Sequence, residues 1–165
     1  MKRLIAMAFL GLGMMQVQAN AQDAAYPVTE EEMMKFAAME ESVSHFLQEK
    51  QDALVEMVKN DEVLGGAARY NEIKSAWGKD DKLAEIKISE EERAAYQKIQ
   101  DYINSMTEQV KEFKLEQIKN PEVLGAATYN KVNKAMNADP ELKKKVSEMI
   151  AQLKQKRAEE DGVTD

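Results

Sequence analysis

The chain has 165 residues, no cysteine, and 23 basic against 30 acidic residues, for a net charge of −7. Without cysteine there are no disulfides and no thiolate metal sites. The acidic balance lacks the basic footprint that nucleic acid requires and is repelled on average by anionic membrane surfaces.

The chain opens with the features of a secretory signal peptide over residues 1–21. Lys2 and Arg3 form a basic start, Leu4 to Met15 is an apolar run of 12 residues, and Ala19-Asn20-Ala21 closes a polar stretch with an A-x-A cleavage pattern. A bilayer core needs about 20 apolar residues, so the run is too short for an anchor, and no cysteine follows it for lipidation. Processing after Ala21 leaves 144 residues; losing Lys2 and Arg3 leaves 21 basic against 30 acidic, a net of −9. A periplasmic or secreted location follows, with no membrane span after cleavage, because later apolar stretches are broken by Glu and Lys every few positions. A core of this size stands without covalent staples.

Residues 22–87 and 88–157 then repeat one another. At a shift of 60, Val28-Thr29-Glu30-Glu31-Glu32 lies on Ile88-Ser89-Glu90-Glu91-Glu92, and Phe36, Met39, Val43, Phe46 and Val58 lie on Tyr96, Ile99, Ile103, Met106 and Ile118. The segment Lys59 to Gly65 matches Lys119 to Gly125 at six of seven positions. Gly66 is one extra residue, after which the shift is 59: Tyr70-Asn71 matches Tyr129-Asn130, Ile73 matches Val132, and Asp80 and Leu83 match Asp139 and Leu142. A self-match of this length reads as a tandem duplication.

Each unit starts with a capping box, in which Thr29 or Ser89 is followed three residues later by Glu32 or Glu92. The acidic triplets there suit the positive end of the helix dipole. A long helix of about 30 residues, roughly 45 Å, follows in each unit. Its apolar stripe is regular in the second unit (Tyr96, Ile99, Ile103, Met106, Val110, Phe113), and looser in the first, where Lys50 interrupts it. Pro121 and the glycines Gly65 and Gly125 end these helices. Val63, Leu64, Val123 and Leu124 are expected to fold back onto the long helices. Short helices with stripes Tyr70, Ile73, Trp77 and Tyr129, Val132, Met136 come next, ended by Gly78 and Asn137.

Asp139-Pro140 then provides an N-cap and a first-turn proline for a last helix reaching about Arg157, with a face of Leu142, Val146, Met149, Ile150 and Leu153. The equivalent piece in the first unit, residues 81–86, is much shorter. Residues 158–165 read as an acidic, frayed tail. No stretch alternates with the two-residue period of a strand. The expected fold is an all-α helical bundle of two tandem repeats, each a long helix followed by a short helix or helices, related by a pseudo-twofold axis. The long helices would lie side by side and the short ones return antiparallel; the alternative is that the long helices extend and pair between chains.

The block from Tyr129 to Leu142, with Tyr129-Asn130 and Asp139-Pro140-Glu141-Leu142, together with the opening Thr29-Glu30-Glu31 and Lys35-Phe36-Ala37, resembles the domain-of-unknown-function 4168 family. Those are small exported helical bacterial proteins. The chain departs from their pattern in carrying the unit twice and in having Asp80-Asp81-Lys82-Leu83 where the first ending should be. The resemblance implies export and helices, and it transfers no activity and no site residues.

No catalytic, metal or cofactor motif stands out, and no cofactor is expected. The single histidine, His45, has Ser105 as its equivalent and reads as an incidental surface residue. The acidic triplets are explained as helix starts, and most other carboxylates as solvated helix faces. Methionines 39, 57, 106, 136 and 149 lie on apolar stripes, where methionine is ordinary filler; Met33-Met34 is the one remaining cluster after the signal peptide. The recurring pairs Tyr70-Asn71 and Tyr129-Asn130, with Asp139 and Pro140, form a structural motif or a shared repeat surface. Two functions fit this pattern: a non-enzymatic helical module that binds a protein partner or itself, and an exported protein that binds a small molecule or metal.

Overall fold

The computed structural model describes residues 27–162. The expected signal peptide over residues 1–21, residues 22–26 and residues 163–165 lie outside the described residues. Among the described residues there are six helices and no strand: α1 (Glu30–Lys59), α2 (Ala67–Ala76), α3 (Asp80–Glu85), α4 (Glu90–Lys119), α5 (Ala126–Ala138) and α6 (Pro140–Glu160).

Both capping boxes form. The Thr29 hydroxyl accepts from the Glu32 N–H at 3.2 Å while the Glu32 carboxylate accepts from the Thr29 N–H at 2.8 Å. Ser89 and Glu92 exchange the same bonds at 3.1 and 2.9 Å. These bonds satisfy donors that a helix start leaves unpaired, and α1 and α4 each run 30 residues. The turns after them differ by one residue in their capping acceptor. Asp61 accepts from the Leu64 N–H at 2.9 Å, whereas in the second unit Pro121 occupies that position and Asn120 accepts from the Glu122 N–H at 3.0 Å. Gly125, at φ 81°, closes the turn directly over the Cα of Pro121, a backbone conformation that favours glycine.

Three expectations need correction. Leu64 and Leu124 turn into the core as read, but Val63 is 50% exposed, because neighbouring side chains in a single turn point opposite ways. Helix α5 runs through Asn137 and stops only at Asp139, which takes extended φ and ψ before Pro140, as a residue preceding proline must. Helix α6 continues three residues past Arg157, taking residues 158–160 out of the expected tail. Gln155 bonds Glu159 at 3.1 Å on that last stretch.

The long helices pack side by side and antiparallel, with Glu40 against Lys114, Phe46 stacked on Phe113, and the Tyr102 hydroxyl donating to the Lys50 carbonyl. A core lies toward each end of this pair. One gathers Leu54 and Val58 of α1, Leu64 of the turn after it, Tyr70 and Ile73 of α2, and Tyr96 and Ile99 of α4. The other gathers the first half of α1 (Met33, Phe36, Ala37, Met39, Val43), the second half of α4 (Val110, Ile118), Leu124 of the turn after α4, Tyr129 and Val132 of α5, and Val146 and Met149 of α6. Each fully buried side chain of this size contributes about 1.5–3 kcal/mol.

Helix α6 is the element that makes the second core larger. Ion pairs join Glu30 to Lys145, Glu41 to Arg157 and His45 to Asp161. The offset between partners is 115 or 116 residues throughout; with equal rise per residue, that constancy means α6 runs parallel to α1 and in register with it. This departs from the expected antiparallel return, which holds for the neighbouring long helix only: α6 runs against α4 because α4 runs against α1.

Candidate functional site

The residues singled out in the sequence do not converge on one site. Tyr70 and Tyr129 are core residues rather than a repeat surface. Tyr70 is 1% exposed and lies 5.5 Å from the Tyr96 ring, in the core that contains α2. Tyr129 stacks on Phe36 at 5.5 Å in the other core. Such aromatic pairs add about 0.5–1.5 kcal/mol beyond their burial. Trp77 completes the first group at 4.4 Å from Tyr96, with the Arg93 guanidinium 5.9 Å above the indole. The Tyr70 hydroxyl is buried and has no hydrogen-bond partner of good geometry, although Gln100 faces it, and burial pushes its pKa up. Burial, with Tyr70 beside it, also pushes Tyr96 up to about 12. Both are therefore neutral phenols packed as aromatic mass.

Asn71 is exposed, and its carbonyl accepts from the Ser75 hydroxyl. Asn130 is partly buried. Asp139 caps α6, accepting from the N–H groups of Glu141 and Leu142 at 2.9 and 3.3 Å, and Pro140 occupies the first turn. Beside this cap an open groove of about 350 Å³ runs between α1 and the start of α6, with Met33 and Leu142 as its apolar wall and Lys144, Lys145 and Glu148 around it.

Two features join helices through part-buried or buried charges, and sequence reading missed both. The first is a clasp on each capping box. Arg69 of α2 reaches Glu92 through Nε at 2.6 Å and Nη2 at 2.8 Å, and also bonds the Ile86 carbonyl. Lys131 of α5 reaches both oxygens of Glu32 at 2.8 Å. The short helix of each unit thus holds the start of the other unit's long helix. The Arg69 hydrogen bonds hold Glu92 down to about 2. At Glu32 burial opposes ionisation, but Lys131 and the Thr29 N–H outweigh it, and the carboxyl stays below its usual range. Charge-assisted bonds of this kind are about twice as strong as neutral ones.

The second is a buried carboxylate in the middle of α1. Glu41, 4% exposed, is the one buried charged residue among the described residues. Arg157 of α6 binds it through Nε and Nη2, both at 2.7 Å, and this bidentate bond holds Glu41 below the usual carboxylate range against the cost of burial. One turn along α1, His45 is partly buried, with Glu49 at 4.0 Å and Asp161 at 3.9 Å. His45 is therefore a contact of α6 rather than an incidental surface residue. A histidine four residues after a glutamate is a faint sequence signal; the partner Arg157 lies 116 residues away and has none.

Met33 and Met34 do not face one another's ligand space: Met33 is buried in the core and Met34 is exposed. Among the described residues, no three His, Cys, Asp or Glu side chains gather closely enough to hold a metal ion. Nor is any helix among them long and apolar enough to cross a membrane. Compared with protein-family models, curated proteins and solved structures, the chain matches none.

Proposed function

We propose that this is an exported, non-enzymatic helical protein, periplasmic or secreted, that binds other proteins or copies of itself, with envelope protection or a chaperone-like role as the specific form. The observation that carries this reading is a pair of 30-residue helices, each about 45 Å long, on which charged groups serve to join helices while large apolar side chains remain outside. Met34 and Val55 on α1 and Val63 in the turn after it are exposed. Rigid helix faces with accessible methionine and valine between charges suit adaptable protein contacts. The signal-peptide pattern and the resemblance to the domain-of-unknown-function 4168 family support export.

We also propose that the two units occupy equivalent places about a pseudo-twofold axis between α1 and α4. The ring pairs Tyr129–Phe36 and Tyr70–Tyr96 support it, since both partners correspond in the repeat, as do the clasped carboxylates Glu32 and Glu92, although Lys131 and Arg69, which hold them, do not.

Sedimentation across a wide concentration range, with a light-scattering assay on an unfolding client protein, tests the functional reading. Concentration-dependent association or slowed client aggregation is the expected result; a strict monomer without effect on any client contradicts it. A second reading, small-molecule binding, draws on the groove beside Met33 and Leu142. A rise of several degrees in Tm with one compound in a ligand screen would favour it.

A further inference from the structure

We propose that His45 is a proton-operated latch for the C-terminal end of α6: protonation clamps that end onto α1, and deprotonation loosens it. The inference is independent of any partner.

The geometry carries it. His45 Nε2 lies 3.9 Å from the carboxylate of Asp161, the C-cap of α6, and its Nδ1 lies 4.0 Å from Glu49. Both distances exceed a hydrogen bond but lie within reach of an ion pair once the ring is charged. Histidine is the side chain whose charge ordinarily changes between about pH 5 and 8. The position magnifies that change. Helix α6 ends in Glu159, Glu160 and Asp161, which stack negative charge on the negative end of its own dipole, where a cation is favoured.

The surrounding charges leave the site short of cations. Helix α1 contributes Glu41 and Glu49, and α6 contributes Glu160 and Asp161 against Lys154 and Arg157. From α4, Lys114 is already held by Glu40 at 2.7 Å. With Glu41 taken by Arg157 and Glu160 paired with Lys156 at 3.9 Å, Glu49 and Asp161 remain against Lys154, and an imidazolium reduces the deficit. Arg157 is committed to Glu41 by two bonds, so the base of the latch is fixed and His45 governs the last turn beyond it.

The sign follows from charge: a protonated ring attracts the Asp161 and Glu49 carboxylates and a neutral ring does not, so the end of α6 is held more firmly when the ring carries its second proton. The equivalent position on α4 is Ser105, where no sixth helix lies alongside.

His45 is the single histidine of the chain, so one imidazole resonance in the untagged protein reports its titration. Hydrogen exchange of residues 154–161, corrected for intrinsic chemistry, is measured at pH 5.5 and 7.5 in the wild type, His45→Gln and His45→Lys. The expected result is about two- to fivefold greater protection at the lower pH in the wild type, with a midpoint that coincides with the imidazole titration. His45→Gln should lose the difference, and His45→Lys should keep the high protection at both values. A wild-type protection that does not change with pH, or a change that survives in His45→Gln, overturns the proposal.

Discussion

Helices α1 and α4 begin with the same capping box, run the same 30 residues and end in nearly the same turn, yet only α1 has α6 lying along its length. The side chains record the difference. Met33, Ala37 and Glu41 of α1 are buried under α6, while their counterparts Arg93, Gln97 and Asp101 are half-buried or exposed. In the first unit the segment in the place of α6 is the six-residue α3, too short to cover a long helix. Matching sequence therefore gives matching helices and ends, while the faces diverge with what covers them. A small residue and a buried, arginine-paired carboxylate suit a helix seam; an exposed glutamine bonded to an exposed aspartate one turn on suits water.

Substitutions at corresponding positions break this comparison if it is wrong. The largest effect is expected for Arg157→Met, which leaves Glu41 buried and unpaired and should cost about 3 kcal/mol, the low end for such a pair because the arginine side opens to solvent. Asp101→Ala, its counterpart on α4, should stay within about 0.5 kcal/mol. Chemical denaturation of both variants reads the contrast. Next, Ala37→Gln forces a polar side chain into a site with 0% exposure and should cost about 2 kcal/mol, whereas Gln97→Ala should be neutral or slightly stabilising.

The clasps sharpen the comparison in a region where the two ends agree. Arg69→Met should lose about 1.5 kcal/mol at neutral pH. Because Glu92 is held down to about 2 in the fold, its contribution is present above the unfolded glutamate value, about 4.3, and disappears as pH falls toward 2. The gap between wild type and Arg69→Met should accordingly narrow in acid, as denaturation midpoints at pH 7 and pH 3 would reveal. A small effect of the opposite sign is expected at Lys87, which precedes the Ser89 cap of α4 at φ 51°. Lys87→Gly should raise stability by up to about 1 kcal/mol by removing the side-chain clash of that conformation, measurable as a small increase in Tm.

The helices were legible in the sequence because their signals are local. Thr29 and Glu32, Ser89 and Glu92, and Asp139 with Pro140 act within one turn, and each forms as read. Leu64 and Leu124 turn in because the glycines after them reverse the chain. The direction of α6 was not legible, since it depends on Arg157 meeting Glu41 and Lys145 meeting Glu30 across more than a hundred residues. The same holds for the clasps. Arg69 and Lys131 stand at different places in the repeat, so self-alignment hides that they do the same work. Tyr70 and Tyr129 drew notice because they recur, and they recur because each fills a core. His45 looked solitary because its neighbour in space, Asp161, is at the far end of the chain.

Hydrogen exchange along the two long helices tests most directly the claim that α6 distinguishes them. Residues 33–47 of α1 and 93–107 of α4 are matched in the repeat, so each is the other's control. The arrangement described here predicts slower exchange in residues 33–47, with the excess lost in Arg157→Met. Equal protection in the two stretches, or slower exchange in residues 93–107, would contradict it.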